Sequence, residues 1–115
     1  MNGKQQLTVK EKEALNRLIT GLKKLYGANL CRVILYGSKA RGDAQPDSDI
    51  DILVVLRKMK PWYEEVRRIA EVKAPICLEY DVVISTIPAD ERTINRPYKQ
   101  IFIHNVTAEG VEVRI

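Results

Sequence analysis

Residues that commonly build metal centres and disulfides are scarce in this chain. It contains one histidine, His104, and two cysteines, Cys31 and Cys77. A lone histidine is typical of a surface or partner-facing position rather than of a catalytic base. Each cysteine stands at the start of an apolar run, and no second pair of ligands accompanies them. We therefore expect buried, reduced thiols rather than a disulfide or a cysteine-bound metal.

Long apolar runs are also missing. No run approaches the roughly 20 residues of a membrane-spanning helix, and the first residues, Met-Asn-Gly-Lys-Gln-Gln, lack the apolar core of a signal peptide. These absences predict a cytoplasmic protein. The length of 115 residues, with 45% hydrophobic and 30% charged residues, predicts a single domain over residues 1–115, with no room for a large accessory substrate domain.

Aromatic residues make up only 6% of the chain, and the sequence shows no platform of aromatic and basic side chains that would stack nucleic-acid bases. Charge is unevenly distributed. The segment from Asp43 to Asp51 holds four aspartates and no basic residue, so in a chain of net charge +4 the remainder carries +8. Such a distribution attracts polyanions such as nucleotides, although a solvated acidic turn among scattered lysines has the same composition.

Two aspartates open an apolar run in the middle of the chain. Asp49 and Asp51 flank Ile50, and the sequence Ile-Leu-Val-Val-Leu follows. Successive side chains of a strand alternate between its faces, so both carboxylates project to the same side. Their repulsion needs compensation, and a divalent cation such as magnesium takes carboxylate oxygens while keeping positions for water and phosphate.

A glycine and a serine end the preceding apolar run. Gly37 allows close approach of the backbone to a ligand, and backbone amides with the Ser38 hydroxyl suit anionic oxygens. Arg41 adds a charge that meets phosphate or offsets the aspartates. A phosphate cradle and a pair of carboxylates on one loop together favour a metal–nucleoside triphosphate as the ligand.

Simpler interpretations of the acidic loop exist. Asp43 and Asp47 are more typical of turn formers, which bend loops through local hydrogen bonds. A calcium loop starting at Asp47 is excluded, because its sixth position is Ile52 instead of glycine and its twelfth is Lys58 instead of glutamate.

The periodicity of apolar residues predicts an α/β fold, with a small mixed β-sheet and helices mainly on one face. Residues 8–26 form a helix with a capping box at Thr8 and Glu11, and strands follow at residues 31–36 and 50–56. A helix begins at Pro61, buries Trp62, Val66, Ile69 and Ala70, exposes Glu64 and Glu65, and ends near residue 73 before Pro75. A third strand covers residues 76–86, a loop residues 88–97, a helix residues 98–108 and a terminal strand residues 111–115. The uncovered face of the sheet is expected to hold the aspartates.

At the central loop the chain resembles the minimal nucleotidyltransferases of the DNA polymerase beta-type superfamily. That family has Gly-Ser, about ten residues, Asp-x-Asp, and a third acidic residue on a later strand. The sequence has Gly37-Ser38 and Asp49-Ile50-Asp51, and the longer form Gly-Ser-x-Ala-Arg-Gly spans residues 37–42. The third acid corresponds to Asp81, with Glu79 two residues before it as the alternative. The resemblance implies the nucleotidyltransferase, polymerase beta-like fold.

The resemblance also implies roles for these residues. Asp49, Asp51 and Asp81 would be catalytic and would hold two Mg²⁺ ions, while Gly37, Ser38 and Arg41 would bind the phosphates of ATP. Minimal members resemble the antitoxin of toxin–antitoxin modules, which transfers AMP to a tyrosine of a helical HEPN-type ribonuclease toxin; this implies a hetero-oligomer with that toxin. Two alternatives are a non-catalytic antitoxin that neutralises its partner by binding, and a nucleotidyltransferase for a small molecule or an RNA end.

Overall fold

The computed structural model describes residues 6–45, 47–94 and 110–115. Within these residues, four helices and four strands follow one another, with a short 3-10 turn at Gly27–Asn29 between the first two: α1 Val9–Tyr26, β1 Leu30–Tyr36, α2 Ser38–Arg41, β2 Ile50–Leu56, α3 Trp62–Tyr80, β3 Ile84–Asp90, α4 Glu91–Ile94 and β4 Val111–Val113. The predicted α/β class is confirmed.

The first helix begins and ends as its sequence predicts. The Thr8 hydroxyl accepts from the Glu11 amide, and the Glu11 carboxylate accepts from the Thr8 amide, which completes the capping box. Gly27 ends the helix with φ 55°, a conformation that costs glycine little. The apolar stripe of α1 is buried.

One mixed sheet contains all four strands, in the order β3-β2-β1-β4. Strand β1 pairs antiparallel with both β2 and β4, whereas β2 and β3 run parallel. Parallel neighbours need a crossover connection, and α3 supplies it. The strand register places Asp51 between Tyr36 on β1 and Ser85 on β3.

The two faces of the sheet differ in what covers them. One face packs Ile50, Ile52 and Val54 of β2 against α1 and α3 in the main core. The other face carries Asp51, followed by the buried Leu53 and Val55, which cluster with Ile94 of α4 among others. The aspartates thus lie on the face opposite α1 and α3, as expected, but beyond Asp51 this face is buried rather than uncovered.

The predicted boundary between the third helix and the third strand is wrong. Helix α3 continues through Pro75 to Tyr80, and β3 begins only at Ile84. A proline inside a helix removes one backbone hydrogen bond and crowds the preceding turn. Here Pro75 is exposed, while Ile69 and Ile76, seven residues apart on one side of the helix, are buried. The burial of that side outweighs the cost of the proline.

Several side chains of α3 also differ from the prediction. Glu65, expected in solvent, is fully buried and accepts hydrogen bonds from the Tyr26 hydroxyl at 2.8 Å and from Arg68 at 3.0 Å. Trp62, expected in the core, is exposed. A glutamate can replace an apolar residue in the core only where such partners satisfy its oxygens.

The predicted loop at residues 88–97 is wrong over its first part, because residues 88–90 belong to β3 and residues 91–94 to α4. The predicted helix at residues 98–108 and His104 lie outside the described residues. Both cysteines are free, as predicted, but half-buried, and the Cys31 thiol donates to Glu91 Oε1 at 3.1 Å. Within the described ranges, no helix is both long and apolar enough to cross a membrane.

Candidate active site

The glycine-serine turn connects the end of β1 to α2. Strand β1 ends at Tyr36, and Gly37 precedes the single helical turn of α2. The Gly37 carbonyl accepts from the amides of Ala40 and Arg41 at 3.1 and 3.0 Å. Gly42 then ends α2 in a left-handed conformation, with φ 87°. A single turn of helix therefore separates the motif glycine from the acidic loop.

The backbone of Gly37 lies directly against the Asp51 carboxylate. A Cβ atom added at position 37 would overlap Asp51 Oδ2. Gly37 also has φ 74° and ψ −157°, a combination that only glycine adopts without strain. The glycine of the motif is thus required by its conformation and by its contact with the second aspartate, and the structure brings these two predicted site residues together.

The two aspartates differ in exposure and in their hydrogen bonds. Asp51 is half-buried within β2, while Asp49 is exposed just before the strand begins. Asp49 Oδ2 accepts a hydrogen bond from the Ser85 hydroxyl at 3.1 Å. The Ile50 amide between them donates to the Val83 carbonyl at 2.9 Å, which starts the parallel pairing with the segment that becomes β3.

The electrostatics of this pair favour a bound cation. Burial and then the charge of Asp49 raise the pKa of Asp51, and Arg41 opposes this shift. Tyr36 faces Asp51 across the strand pair, and burial together with the Asp51 charge raises the pKa of Tyr36 to about 12. Tyr36 is therefore protonated at neutral pH. A cation between the two aspartates would relieve the repulsion that raises the pKa of Asp51.

Two carboxylates are a suitable protein contribution for magnesium, which commonly keeps several waters and substrate phosphates as its other ligands. Within the described part of the chain, no group of three or more histidine, cysteine, aspartate or glutamate residues is positioned to hold a metal ion. At this place the structure brings two carboxylates together, those of Asp49 and Asp51.

Lys39 fixes the position of α2, a role that the sequence analysis missed. Its ammonium group is buried and contacts Glu11 Oε2 at 2.8 Å. The other oxygen of Glu11 caps α1, so one carboxylate joins the start of α1 to the motif. Burial opposes ionisation of Glu11. The hydrogen bonds from Lys39 and Thr8 and the positive charge of Lys39 outweigh this effect, so the pKa of Glu11 lies below its ordinary value.

A second link joins the segment before α1 to the acidic loop. The Gln6 amide donates to the Lys39 carbonyl at 2.8 Å. The Gln6 side chain donates to the Ala44 carbonyl at 3.2 Å and accepts from the Ala44 amide at 3.1 Å. The motif is thus held by residues far away in the sequence. In the sequence, only the capping role of Glu11 pointed to such a link. A capping carboxylate uses one oxygen at the helix start and leaves the other for a second partner.

Arg41 lies within the electrostatic reach of the aspartate pair. Its guanidinium pairs with Asp43 at 3.3 Å on the surface, and its charge lowers the pKa of Asp51. Ser38 opens α2, and its carbonyl accepts from the amides of Gly42 and Asp43. Gly37, Ser38, Arg41, Asp49 and Asp51 therefore belong to one connected region.

Asp81 and Glu79 do not join this region through β3, because neither residue belongs to that strand. Asp81 caps α3 in a left-handed conformation, with φ 53°, and Glu79 pairs with Arg17 on α1 at 3.3 Å. On β3 the residue beside Asp51 is Ser85. Asp81 instead lines a cleft of about 310 Å³ together with Asp47, Ser48 and Val83, among others.

The sequence is similar to proteins of known family. The sequence profile of the family described as "Nucleotidyltransferase domain" matches residues 15–107. Two proteins of Methanocaldococcus jannaschii, both provisionally named protein adenylyltransferases, are similar to the chain. One is 39% identical over 73% of this chain and 79% of its own length, and the other is 33% identical over 87% and 94%. The chain therefore belongs to the nucleotidyltransferase domain family, as the motif predicted.

Proposed function

We propose that this chain is a magnesium-dependent adenylyltransferase that moves AMP from ATP to a tyrosine hydroxyl of a partner protein. The observation that carries the proposal is the contact between the Gly37 backbone and the Asp51 carboxylate, with Asp49 beside it. This contact joins the predicted phosphate-binding turn to the predicted metal ligands. The provisional name of the two relatives, protein adenylyltransferase, supports a protein as the acceptor.

In this proposal Asp49 and Asp51 bind magnesium, as two ions, and orient the triphosphate. The bound metal would neutralise charge on the phosphates and on the attacking and leaving oxygens. The raised pKa of Asp51 and the nearby charge of Asp49 support this role, because an ion-free pair of carboxylates is electrostatically unfavourable. Ser85 orients Asp49 through its hydroxyl.

Gly37 and Ser38 hold the outer phosphates through backbone amides and the serine hydroxyl, and Arg41 adds positive charge. The acceptor oxygen then forms a bond to the α-phosphorus, the bond to the bridging oxygen breaks, and pyrophosphate leaves. The protein contributes mainly position and electrostatic complementarity to such a transfer.

Asp81 is proposed as the third acid, which takes the proton from the acceptor hydroxyl and contributes to metal binding. Its place beside Asp47 and Ser48 supports an approach of the acceptor through their shared cleft. For Asp81 to reach the metal, the end of α3 has to rearrange. The left-handed conformation of Asp81, which costs a non-glycine residue about 1 kcal/mol or more, would favour such a rearrangement.

The proposed acceptor is a helical HEPN-type ribonuclease toxin, so that the chain acts as an antitoxin in a hetero-oligomer. This part rests on the resemblance to minimal nucleotidyltransferases. Neutralisation by binding alone is the competing function, and the position of Asp81 away from Asp49 and Asp51 is the observation that favours it. Transfer to a small molecule or an RNA end is the remaining alternative.

The test is incubation of the chain with ATP, Mg²⁺ and a helical HEPN-type ribonuclease, followed by intact mass spectrometry. We expect a gain of one or more AMP units on the partner, and loss of that gain in Asp49→Asn, in Asp51→Asn and on chelation with EDTA. Glu13→Gln is the matched control and is expected to keep the mass gain, because Glu13 is an exposed carboxylate on α1. A stable complex without any mass gain would instead establish neutralisation by binding.

A further inference from the structure

The segment between β2 and α3 is held rigidly at the end of the sheet opposite the aspartates. The Asn29 side chain accepts from the Lys58 amide and donates to the Lys58 carbonyl, both at 2.9 Å. The Lys60 amide donates to the buried Glu65 at 3.0 Å. The backbone that carries these two lysines is therefore fixed before any ligand arrives.

Two aromatic rings follow these lysines directly. Trp62 and Tyr63, in the first turn of α3, are 59% and 69% exposed. The prediction that Trp62 belongs to the core is wrong. A tryptophan is among the side chains that gain most from burial, so its exposure on a fixed segment indicates a surface that meets a ligand.

The cations of this region are available to a ligand. The side chains of Lys58 and Lys60 are exposed, and neither pairs with a carboxylate among the described residues. The Glu65 carboxylate beside them is already bonded to Tyr26, Arg68 and the Lys60 amide. Lys58 and Lys60 line one cavity of about 390 Å³ together with the ion pair of Glu65 and Arg68. Lys23 and Lys24 in the last turn of α1 add positive charge.

We propose that this basic–aromatic surface, formed by Lys58, Lys60, Trp62 and Tyr63, binds single-stranded nucleic acid. The lysines would contact phosphates, and the rings would stack on unpaired bases, which is how proteins bind single strands without strong sequence preference. Exposed rings beside cations match both the bases and the phosphates of one ligand. The surface is distinct from the aspartate pair, because the six steps of extended chain from Asp51 to Arg57 span about 20 Å.

Trp62 is the only tryptophan in the sequence, so the intrinsic tryptophan fluorescence of the chain reports on this surface alone. A titration with oligouridylate or oligothymidylate is expected to quench its fluorescence, because bases stacked on an indole ring quench it. Polyglutamate serves as the acidic-protein probe and is expected to leave the fluorescence unchanged. Equal affinity for polyglutamate, or no binding of either oligonucleotide, would overturn the proposal.

Variants measured by anisotropy of a labelled oligonucleotide separate the two contributions. Trp62→Ala is expected to weaken binding about tenfold through lost stacking. Lys58→Ala/Lys60→Ala is expected to reduce the slope of log affinity against log salt by about 1.4, which is the value for two phosphate contacts on a single strand.

The matched control is Lys12→Ala/Arg114→Ala, which removes the same charge from exposed positions at another cavity. We expect this double variant to bind almost as tightly as the unaltered chain and to keep its salt slope. If the control loses as much affinity as Lys58→Ala/Lys60→Ala, binding depends on net charge and not on this surface, and the proposal is wrong. Circular dichroism of each variant verifies that the fold is retained.

Discussion

At the scale of single residues, contacts that no local pattern shows decide the geometry of the site. Gly37 was predicted to approach a phosphate, and the structure shows that it also contacts the Asp51 carboxylate. Lys39 resembles an ordinary surface lysine of the motif, yet its ammonium is buried on Glu11. The identity of the motif residues could be read from the sequence, but their partners could not, because those partners lie on other elements.

Replacement of Gly37 by alanine tests the contact with Asp51. The new Cβ would overlap the carboxylate and strain the backbone, so we expect loss of Mg²⁺·ATP binding and a loss of about 1–3 kcal/mol in the free energy of unfolding. Gly27→Ala is the matched control, since Gly27 also has positive φ but its added Cβ meets nothing within 4 Å. Calorimetric nucleotide binding and urea unfolding measure both effects. Equal nucleotide affinity in the two variants would contradict the proposed role of Gly37.

Removal of the charge of Glu11 tests the ion pair that anchors α2. Because Glu11→Gln leaves the Lys39 ammonium buried without a countercharge, we expect a loss of about 3 kcal/mol in the free energy of unfolding at neutral pH. The pKa of Glu11 is lowered by folding, so its contribution is complete above the ordinary glutamate value. The contribution disappears as the pH falls through the lower pKa of the folded state.

Urea unfolding of the unaltered chain and of Glu11→Gln at several pH values measures this dependence. We expect the difference in free energy between them to shrink only in acid. Glu13→Gln, at an exposed position on the same helix, is expected to change stability by less than about 0.5 kcal/mol at any pH. A difference that stays constant down to the acid range would exclude the ion pair as its source.

At the scale of secondary structure elements, the strand and helix boundaries around the motif follow from the sequence. Alternation and apolar runs located β2 correctly, and the capping box located the start of α1. The same reasoning failed at α3, where a proline preceded by alanine was interpreted as the end of the helix. Tertiary burial of Ile69 and Ile76 extends the helix beyond that proline, and burial of this kind is not visible in local propensity.

Replacement of Pro75 by alanine tests the continuity of α3. Alanine restores an amide donor inside the helix and removes the clash with the preceding turn. It also raises the conformational entropy of the unfolded chain, which reduces the benefit. We expect a net gain of about 1–2 kcal/mol in the free energy of unfolding. Pro61→Ala, at the start of the helix where proline is tolerated, is the control and is expected to give no gain. Urea unfolding compares the two. Loss of stability in Pro75→Ala would show that the helix does not pass through this position.

At the scale of the whole molecule, acidic and basic side chains lie beyond opposite ends of strand β2. The aspartates lie where β2 begins, and the lysines follow where it ends. This arrangement explains the charge distribution of the sequence, in which a short acidic segment stands in a basic chain. It also separates the proposed nucleotide chemistry from the proposed single-strand binding in space.

The separation predicts independent effects of substitutions at the two ends. Lys58→Ala/Lys60→Ala is expected to leave the initial rate of AMP transfer to a protein acceptor unchanged within about twofold, because the screened field of an exposed charge is small at about 20 Å. Asp51→Asn is expected to abolish transfer while leaving oligonucleotide binding intact. Rates from intact mass spectrometry and affinities from anisotropy measure the two activities on the same variants. Loss of both activities in either variant would show that the two ends are coupled.

The sequence alone determined the chemistry of this protein and the local elements that carry it. Spacing and residue type place Gly37, Ser38, Asp49 and Asp51 on a strand–turn–strand unit, because strand alternation and glycine conformations are local properties. Only the tertiary structure decided which residues surround that unit. It placed Ser85 rather than an acid beside Asp51, buried Glu65 and Lys39, and exposed Trp62. These outcomes depend on the packing of elements distant in the chain, where burial and pairing of charges outweigh local preference.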